Sequence, residues 1–463
     1  MEYRINRSAM PPPLPMSEIK RLLAAALVAF LMTFCQMGGG PTVAWHGAKL
    51  GDQAMTVVGP RLRWTLFLLL CLAGVFNAMD RPIIAILKPD MAADFGWNDQ
   101  DFGNLAFVTQ MAAAFSFLFT GWLVDKLGLI KGTITGVTTW SLAAISHGWA
   151  LTTSQVVAAR VGLGVTEAIQ TPLIIKALAV LFPPNRRSFA FGTGQAIGGL
   201  GSISLPFLIP LLAAWVGWRG ALVFGGMAGF VILAIWLVLA RGATLAAEAD
   251  KATLPLGGPN SEYGAVLADR RTWAIVIAKA LSDSTFWMMA FWLPDFYRKT
   301  YGLTAQELAV PLALAALLGG IGSLTAGWAS TRLLESGWSV NRTRKTVMFV
   351  SALMVLPLPF LLQIQSFWLV VVLVGVVMAG HAGFSLSIFS VITDIVPRAK
   401  VGRVTAFGAF MGNMGGAFIQ LVAGAVLTAQ LGFGLLFIFG ATTYLLALAS
   451  LHLMLPTLRR YEE

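Results

Sequence analysis

Charge is what this sequence has least of. Asp, Glu, Lys and Arg make up 11% of its 463 residues, where a soluble domain carries about a quarter. With 57% hydrophobic residues and a mean hydropathy of +0.76, the chain has too little polar surface to cover its own apolar groups, which excludes a soluble globular fold. Cysteine is nearly absent: Cys35 and Cys71 both lie in apolar runs, so neither a disulfide framework nor a metal knuckle is suggested. His46, His147, His381 and His452 are scattered without ligand spacing, and no metal site is expected. No glycine-rich loop ends in Gly-Lys-Ser/Thr, which argues against an ATP-driven pump. Gly192, Gly194, Gly198, Gly199 and Gly201 imitate a dinucleotide fingerprint poorly and lie in an apolar run, where close helix packing is the better explanation. No cofactor is expected, and no enzymatic constellation stands out. The net charge of +11 invites a nucleic-acid partner, but its distribution reads as membrane topology instead.

What the chain does have is apolar runs of bilayer length. A hydrocarbon core of ~30 Å needs about 20 helical residues. Runs of that size fall near 64–87, 102–124, 132–152, 155–182, 189–215 and 220–240, then near 272–297, 307–331, 345–364, 366–393, 402–429 and 432–455. These are numbered spans 1 to 12 below. The expected fold class is an all-α polytopic membrane protein with twelve transmembrane helices in two pseudo-symmetric six-helix halves. The halves would cover residues 61–240 and 271–463, joined by a cytoplasmic linker over 241–270 that holds Gly257-Gly258-Pro259. With that linker and both ends of the twelve-helix core in the cytoplasm, the inner segments carry nineteen Lys and Arg. The outer segments carry four: Lys88, Arg219, Arg298 and Lys299. That asymmetry sets the orientation. Residues 1–60 do not fit the scheme. Their apolar run, Leu22 to Cys35, is only 14 residues long and resembles a signal-peptide core more than a span. A signal or a thirteenth span would put Arg61 and Arg63 on the wrong side, so a non-spanning extension, or a natural start at Met55, is the preferred expectation.

The halves echo each other. Gly121-Trp122 is followed by Asp125 and Lys126, and Gly327-Trp328 by Thr331 and Arg332 at the same offsets. Duplicated six-helix halves with a site at their interface form a known transporter plan. Gly121 to Lys131 resembles the loop signature of the major facilitator superfamily, Gly-x-x-x-Asp-Arg/Lys-x-Gly-x-x-Lys/Arg. Asp80-Arg81 in span 1, Arg160 to Glu167 in span 4, Trp292 to Gly302, Gly380-His381-Ala382 and Asp394 resemble the anion:cation symporter branch of that superfamily, especially its hexuronate and sugar-acid transporters. The resemblance covers residues 62–455. Two departures stand out. Thr331 occupies a place where many members carry an acid. Asp80 is an acid that galactonate-type relatives share and hexuronate transporters often lack.

Ionisable groups inside spans cost several kcal/mol each, by rough estimate, and are kept for a reason. Arg81 offers a bidentate fork to a carboxylate, or else neutralises Asp80 or Glu167. Asp80 points about 100° around the helix from Arg81 and is either an ion-coupling carboxylate or a structural partner. Glu167 and Arg160 are seven apart and share one face of span 4 about 10 Å apart, so each needs a partner elsewhere, plausibly from the Asp80–Arg81 pair. The resemblance makes Glu167 the proton site and leaves Arg160 a structural partner. Lys279 and Asp283 are spaced i,i+4 on span 7, and the resemblance would let Lys279 clamp the anion's other end. His381 could hydrogen-bond a hydroxyl, or simply pack. Asn77, Gln195 and Asn413 could read hydroxyls, as interhelical bonds explain buried amides equally well. Trp287 and Trp292 are read as interface anchors before sugar platforms. Gly121, Asp125, Lys126 and Arg332 are assigned to a cytoplasmic gate.

The functional expectation is proton-coupled import of a sugar acid, with a hexuronate such as galacturonate or glucuronate first. The site would sit in the cytoplasmic membrane of a bacterium, and the partners would be the organic anion, protons and the lipid bilayer, with no nucleic acid and a functional monomer. The competing expectation is a proton-independent exchanger of organic anions or phosphate esters with the same fold.

Overall fold

In this computed structural model the described residues are 60–240 and 263–458. The expectations for residues 1–59 and for most of the linker lie outside them. Within the linker range, the short helix Tyr263–Leu267 is described.

Among the described residues ten helices are long and apolar enough to cross a bilayer, and two of them are double. Asp99–Ser146 runs for 48 residues, about 72 Å at 1.5 Å per residue and more than twice a ~30 Å core. It is interrupted at Gly128, whose φ of 69° and ψ of −176° no helix contains. Pro184–Ala240, 57 residues long, is interrupted at Gly217 with φ 70° and ψ 177°. Each run is therefore two crossings, and the described residues make twelve. Those dihedrals belong to a region open essentially to glycine alone. Gly128→Ala is expected to lower stability by about 1–3 kcal/mol, read as a fall in the melting temperature of the detergent-solubilised protein.

Spans 1 and 4 are each broken within their length by a proline. Span 1 consists of Pro60–Asn77 and Asp80–Ile86, and span 4 of Thr153–Glu167 and Gln170–Leu181. Proline has no N–H to give the carbonyl four residues back and its ring crowds that carbonyl. Four residues before Pro82 is Ala78, and four before Pro172 is Ala168; both sit in the breaks. Tighter bonds carry the chain across, from Met79 N–H to Phe76 O at 3.1 Å and from Ile169 N–H to Thr166 O at 3.5 Å. Span 9 shows the same cause. Helix Val340–Leu353 ends four residues before Pro357, and a 3-10 turn at Leu358–Gln363 completes the crossing. The remaining crossings are Arg270–Tyr301, Ala309–Glu335, Phe367–Ile395, Arg398–Thr428 and Gly434–Met454.

The largest buried apolar cluster runs from Met79 to Leu458 and joins the first six crossings to the last six. A second, around Leu66, Leu173 and Trp236, stays within the first six. Cys71 is a buried free thiol in that second cluster. Spans 2 and 11 meet most closely at the end of the bundle that carries Lys88. There a Cβ on Gly103 would lie 2.6 Å from the Gln420 carbonyl oxygen, so only glycine lets the two backbones approach. The short helix Lys88–Phe95 lies at this end. Its Asp94 accepts from the Trp218 indole at 2.8 Å and pairs with Arg219, which hold the carboxyl below the usual carboxylate range.

Candidate functional site

The two proline breaks bring the charged residues of spans 1 and 4 together. Asp80 and Arg81 lie between the span 1 break and Pro82; Glu167 is the last residue before the span 4 break. Arg81 Nη2 forms an ion pair with Glu167 Oε1, the carboxylate being buried and the guanidinium about a quarter exposed. The expected pairing is thus found for Glu167. Arg160 differs: its Nη1 donates to the backbone oxygen of Asp80 at 3.3 Å, a bond to the carbonyl and not to the carboxylate. Arg160 is fully buried and Asp80 nearly so. Asp80 Oδ2 and Arg160 Nε and Nη2 have no hydrogen-bond partner among the described residues. Three ionisable groups, Asp80, Arg81 and Glu167, thus flank the breaks of two discontinuous helices, and Arg160 reaches the span 1 backbone from two turns before the span 4 break.

The last six spans supply the other wall. Lys279 Nζ bonds Asp283 Oδ2 at 2.7 Å, the i,i+4 pair the spacing allows, and stands 5.0 Å from the centroid of the Phe389 ring. His381 stacks on Phe286 at 4.3 Å and shares a 2.8 Å hydrogen bond through Nδ1 with the Tyr444 hydroxyl, a partner the sequence reading did not single out. Asn77 and Asn413 are buried; Asn413 donates to its own helix at Ala409 O, 2.9 Å away, and its Oδ1 has no partner among the described residues. Gln195 is exposed. Trp287 corrects the expectation of an interface anchor. Its ring lies 4.5 Å from the Arg81 guanidinium, so it reaches from the last six spans to the cation of the first six.

At the Lys88 end the two sets of spans are tied by a square of charges that sequence reading also missed. Lys88 bonds Asp99 at 2.5 Å and Asp295 at 2.9 Å, while Lys299 bonds Asp99 at 2.6 Å and Asp295 at 3.1 Å. Each charge thus has one partner in its own six spans and one across the seam. Lys88 is 5% exposed and faces the rings of Trp292 at 4.3 Å and Phe102 at 5.0 Å. Arg298 donates to the carbonyls of Ala85, at 3.4 Å, and Ile86. The bundle is closed at this end. At the opposite end the residues expected to gate pair locally. Asp125 meets Lys176 at 3.1 Å, Lys126 stands 5.1 Å from its neighbour Trp122, and Arg332 makes an exposed 3.5 Å contact with Glu335. Gly121 has open space where a Cβ would be. Asp394, in span 10, bonds Arg344 at 2.8 Å, and Arg344 also reaches Ser330 at 2.5 Å; Thr331 instead bonds back to Gly327 O at 3.1 Å.

The profile of the Major Facilitator Superfamily matches residues 70–336. The chain belongs to the major facilitator superfamily. As a major facilitator it is an integral membrane protein, and its twelve crossings have the expected fold. Among curated proteins it is similar to the probable L-galactonate transporter of Escherichia coli, 26% identical over 416 residues, covering 85% of this chain and 90% of that protein. It is also similar to a D-galactonate transporter of Escherichia coli, 23% identical over 396 residues, covering 79% and 89%. Among solved structures, a bacterial homologue of the human lysosomal transporter Spinster, in an inward-facing and occupied conformation, superposes with a TM-score of 0.72. The identity is 17%, and 88% of this chain and 100% of that one are covered. At that identity the likeness is one of fold.

Proposed function

We propose that this major facilitator imports a small organic anion, a sugar acid with hexuronates such as galacturonate or glucuronate favoured, by proton symport. The observation that carries this reading is the Arg81–Glu167 ion pair at the two helix breaks. A guanidinium with a removable carboxylate partner is a site where a proton and an anion can be exchanged for one another. Protonating Glu167 removes the counter-charge from Arg81, and the substrate carboxylate then takes the vacated fork. One proton and one carboxylate thus enter without net charge being buried. Asp80, beside Arg81 and buried, is a second proton acceptor in this scheme; Arg160 holds the Asp80 backbone in place. Asn77, Asn413, Gln195 and His381 are the hydroxyl readers, and Lys279 serves the anion's far end after leaving Asp283. The galactonate transport named for two relatives supports the substrate class.

In this reading residues 61–240 and 271–463 are the two rocking halves, and the Lys/Arg distribution puts the Lys88 end outside a bacterial inner membrane. The contacts at the Lys88 end then hold the outer side shut, with Gly121, Asp125, Lys126 and Arg332 at the cytoplasmic gate. Alternating access proceeds by one half moving against the other around the breaks.

The test uses purified protein in vesicles and labelled galacturonate or galactonate. The wild type is expected to concentrate substrate only with the outside acidic. Glu167→Gln is expected to lose this accumulation while keeping counterflow, because the neutral side chain mimics the protonated state. Full gradient-driven accumulation by Glu167→Gln overturns the proton assignment. Wild-type counterflow with no pH dependence favours the exchanger.

A further inference from the structure

Span 7 carries Lys279, Asp283 and Trp287 at i, i+4 and i+8, one stripe along a helix. Span 11 answers with Gly408, Gly412 and Gly416 at the same spacing and in register. A Cβ on Gly408 would meet Lys279 Cδ at 3.6 Å, one on Gly412 would collide with the Asp283 carboxylate, and one on Gly416 would collide with the Trp287 indole. The first contact is ordinary; the other two leave no room for a side chain. The base of the Trp287 ring is therefore packed directly on the span 11 backbone at Gly416. The Arg81 guanidinium lies over the ring, 4.5 Å from its centroid. Arg81 follows a broken segment of helix, Ala78 and Met79, so its backbone is not held by a continuous ladder on that side. One of its nitrogens, Nε, is buried without a partner among the described residues.

We propose that Trp287, seated by Gly416, is a positioning residue that aims the Arg81 guanidinium at the anion. This rests on the sugar-acid reading above. When Glu167 is neutralised, Arg81 loses its only carboxylate contact described here, and a long flexible side chain would turn away unless something holds its plane. An indole face attracts a guanidinium and fixes its plane while leaving the N–H edges free. The edges are what a bidentate carboxylate needs. Trp287 thereby also couples the two sets of spans, since the guanidinium belongs to span 1 and its platform to span 7. An anion drawing Arg81 towards itself is read by span 7 through this ring.

The assignment predicts a defect in substrate affinity and not in turnover. With labelled galacturonate and galactonate in counterflow, Trp287→Leu is expected to raise KM about tenfold and leave the maximal rate within about twofold. Trp287→Phe, which keeps an aromatic face, is expected to raise KM about threefold. Gly416→Ala displaces the base of the indole and is expected to raise KM as well. Trp287→Phe keeps the Cβ, Cγ and Cδ1 atoms that the added methyl would strike, so adding it to Gly416→Ala is not expected to restore KM. A ring that merely fills space would instead lower the detergent melting temperature and the maximal rate without a KM change. That result overturns the assignment, as does an unchanged KM in both Trp287→Phe and Gly416→Ala. If Trp287→Leu does not fold, those two variants decide. A wild type that carries neither sugar acid overturns the sugar-acid reading, and this assignment falls with it.

Discussion

Arg81→Ala is expected to abolish uptake of galacturonate and galactonate, with a loss of at least a hundredfold in the rate at low substrate. Two costs add. The substrate carboxylate loses a charge-assisted bidentate contact, of about 3 kcal/mol in a partly buried setting. Glu167, 7% exposed, is left as a buried carboxylate without its cation, a change that ordinarily costs about 3–5 kcal/mol or forces the group to take up a proton. Arg81→Lys keeps the charge but has one point contact and no planar fork, so it is expected to retain trace transport with a KM raised more than tenfold. The double variant Arg81→Ala with Glu167→Gln separates the two costs. It should recover the melting temperature lost by Arg81→Ala without recovering transport. Recovery of transport in that double variant would mean that Arg81 exists only to neutralise Glu167.

Lys88→Gln is expected to release the closed end. The square Lys88–Asp99–Asp295–Lys299 is built so that opening strands no charge. Lys88 keeps Asp99 and Lys299 keeps Asp295, while the two bonds across the seam, Lys88–Asp295 at 2.9 Å and Lys299–Asp99 at 2.6 Å, are the ones lost. The cross-seam terms therefore stabilise one state over the other, which is what a reversible lock requires. Removing Lys88 deletes one such bond and its contact with the rings of Trp292 and Phe102. At about 1.5–3 kcal/mol for a hydrogen bond to a charged group, the balance between closed and open shifts by about tenfold to a hundredfold. Spin labels placed on either side of the Lys88 end should report a longer distance in the variant, with slower net uptake and preserved binding. Gly103→Leu should move the same distance in the same direction by sterics alone, because its side chain would strike the span 11 backbone at Gln420. An unchanged label distance in both variants would show that the closure is set elsewhere.

Much of this molecule was legible one stretch at a time. Twelve crossings follow from runs of about 20 apolar residues, because a helix that satisfies its own backbone is what a hydrocarbon layer tolerates. Asp80, Arg81, Arg160 and Glu167 stood out because a charge in such a run is costly enough to need a reason. The two breaks were legible too, in Pro82 and Pro172, although the hydropathy reading passed over them. Proline acts on a carbonyl four residues away, so its effect is local. The Lys279–Asp283 pair follows from spacing on one helix.

What the sequence left open are the contacts between residues far apart in the chain. Lys88 and Asp295 are 207 residues apart and Lys299 and Asp99 are 200 apart; as sequence, Lys88 and Lys299 counted towards topology, and Asp295 belonged to a stretch noted only for its family resemblance. Arg160 was expected to find a partner in the Asp80–Arg81 pair, and the bond it makes there is to the Asp80 carbonyl. Trp287 read as an interface anchor because aromatic residues near span ends usually are. Its partner is decided by the packing of span 7 on span 11, where three glycines fall in register with Lys279, Asp283 and Trp287. Composition and periodicity determine which segments enter the membrane and which groups are expensive there. Which of those groups face each other depends on the rotation and register of whole helices, and those are fixed by close packing between surfaces that no single segment contains.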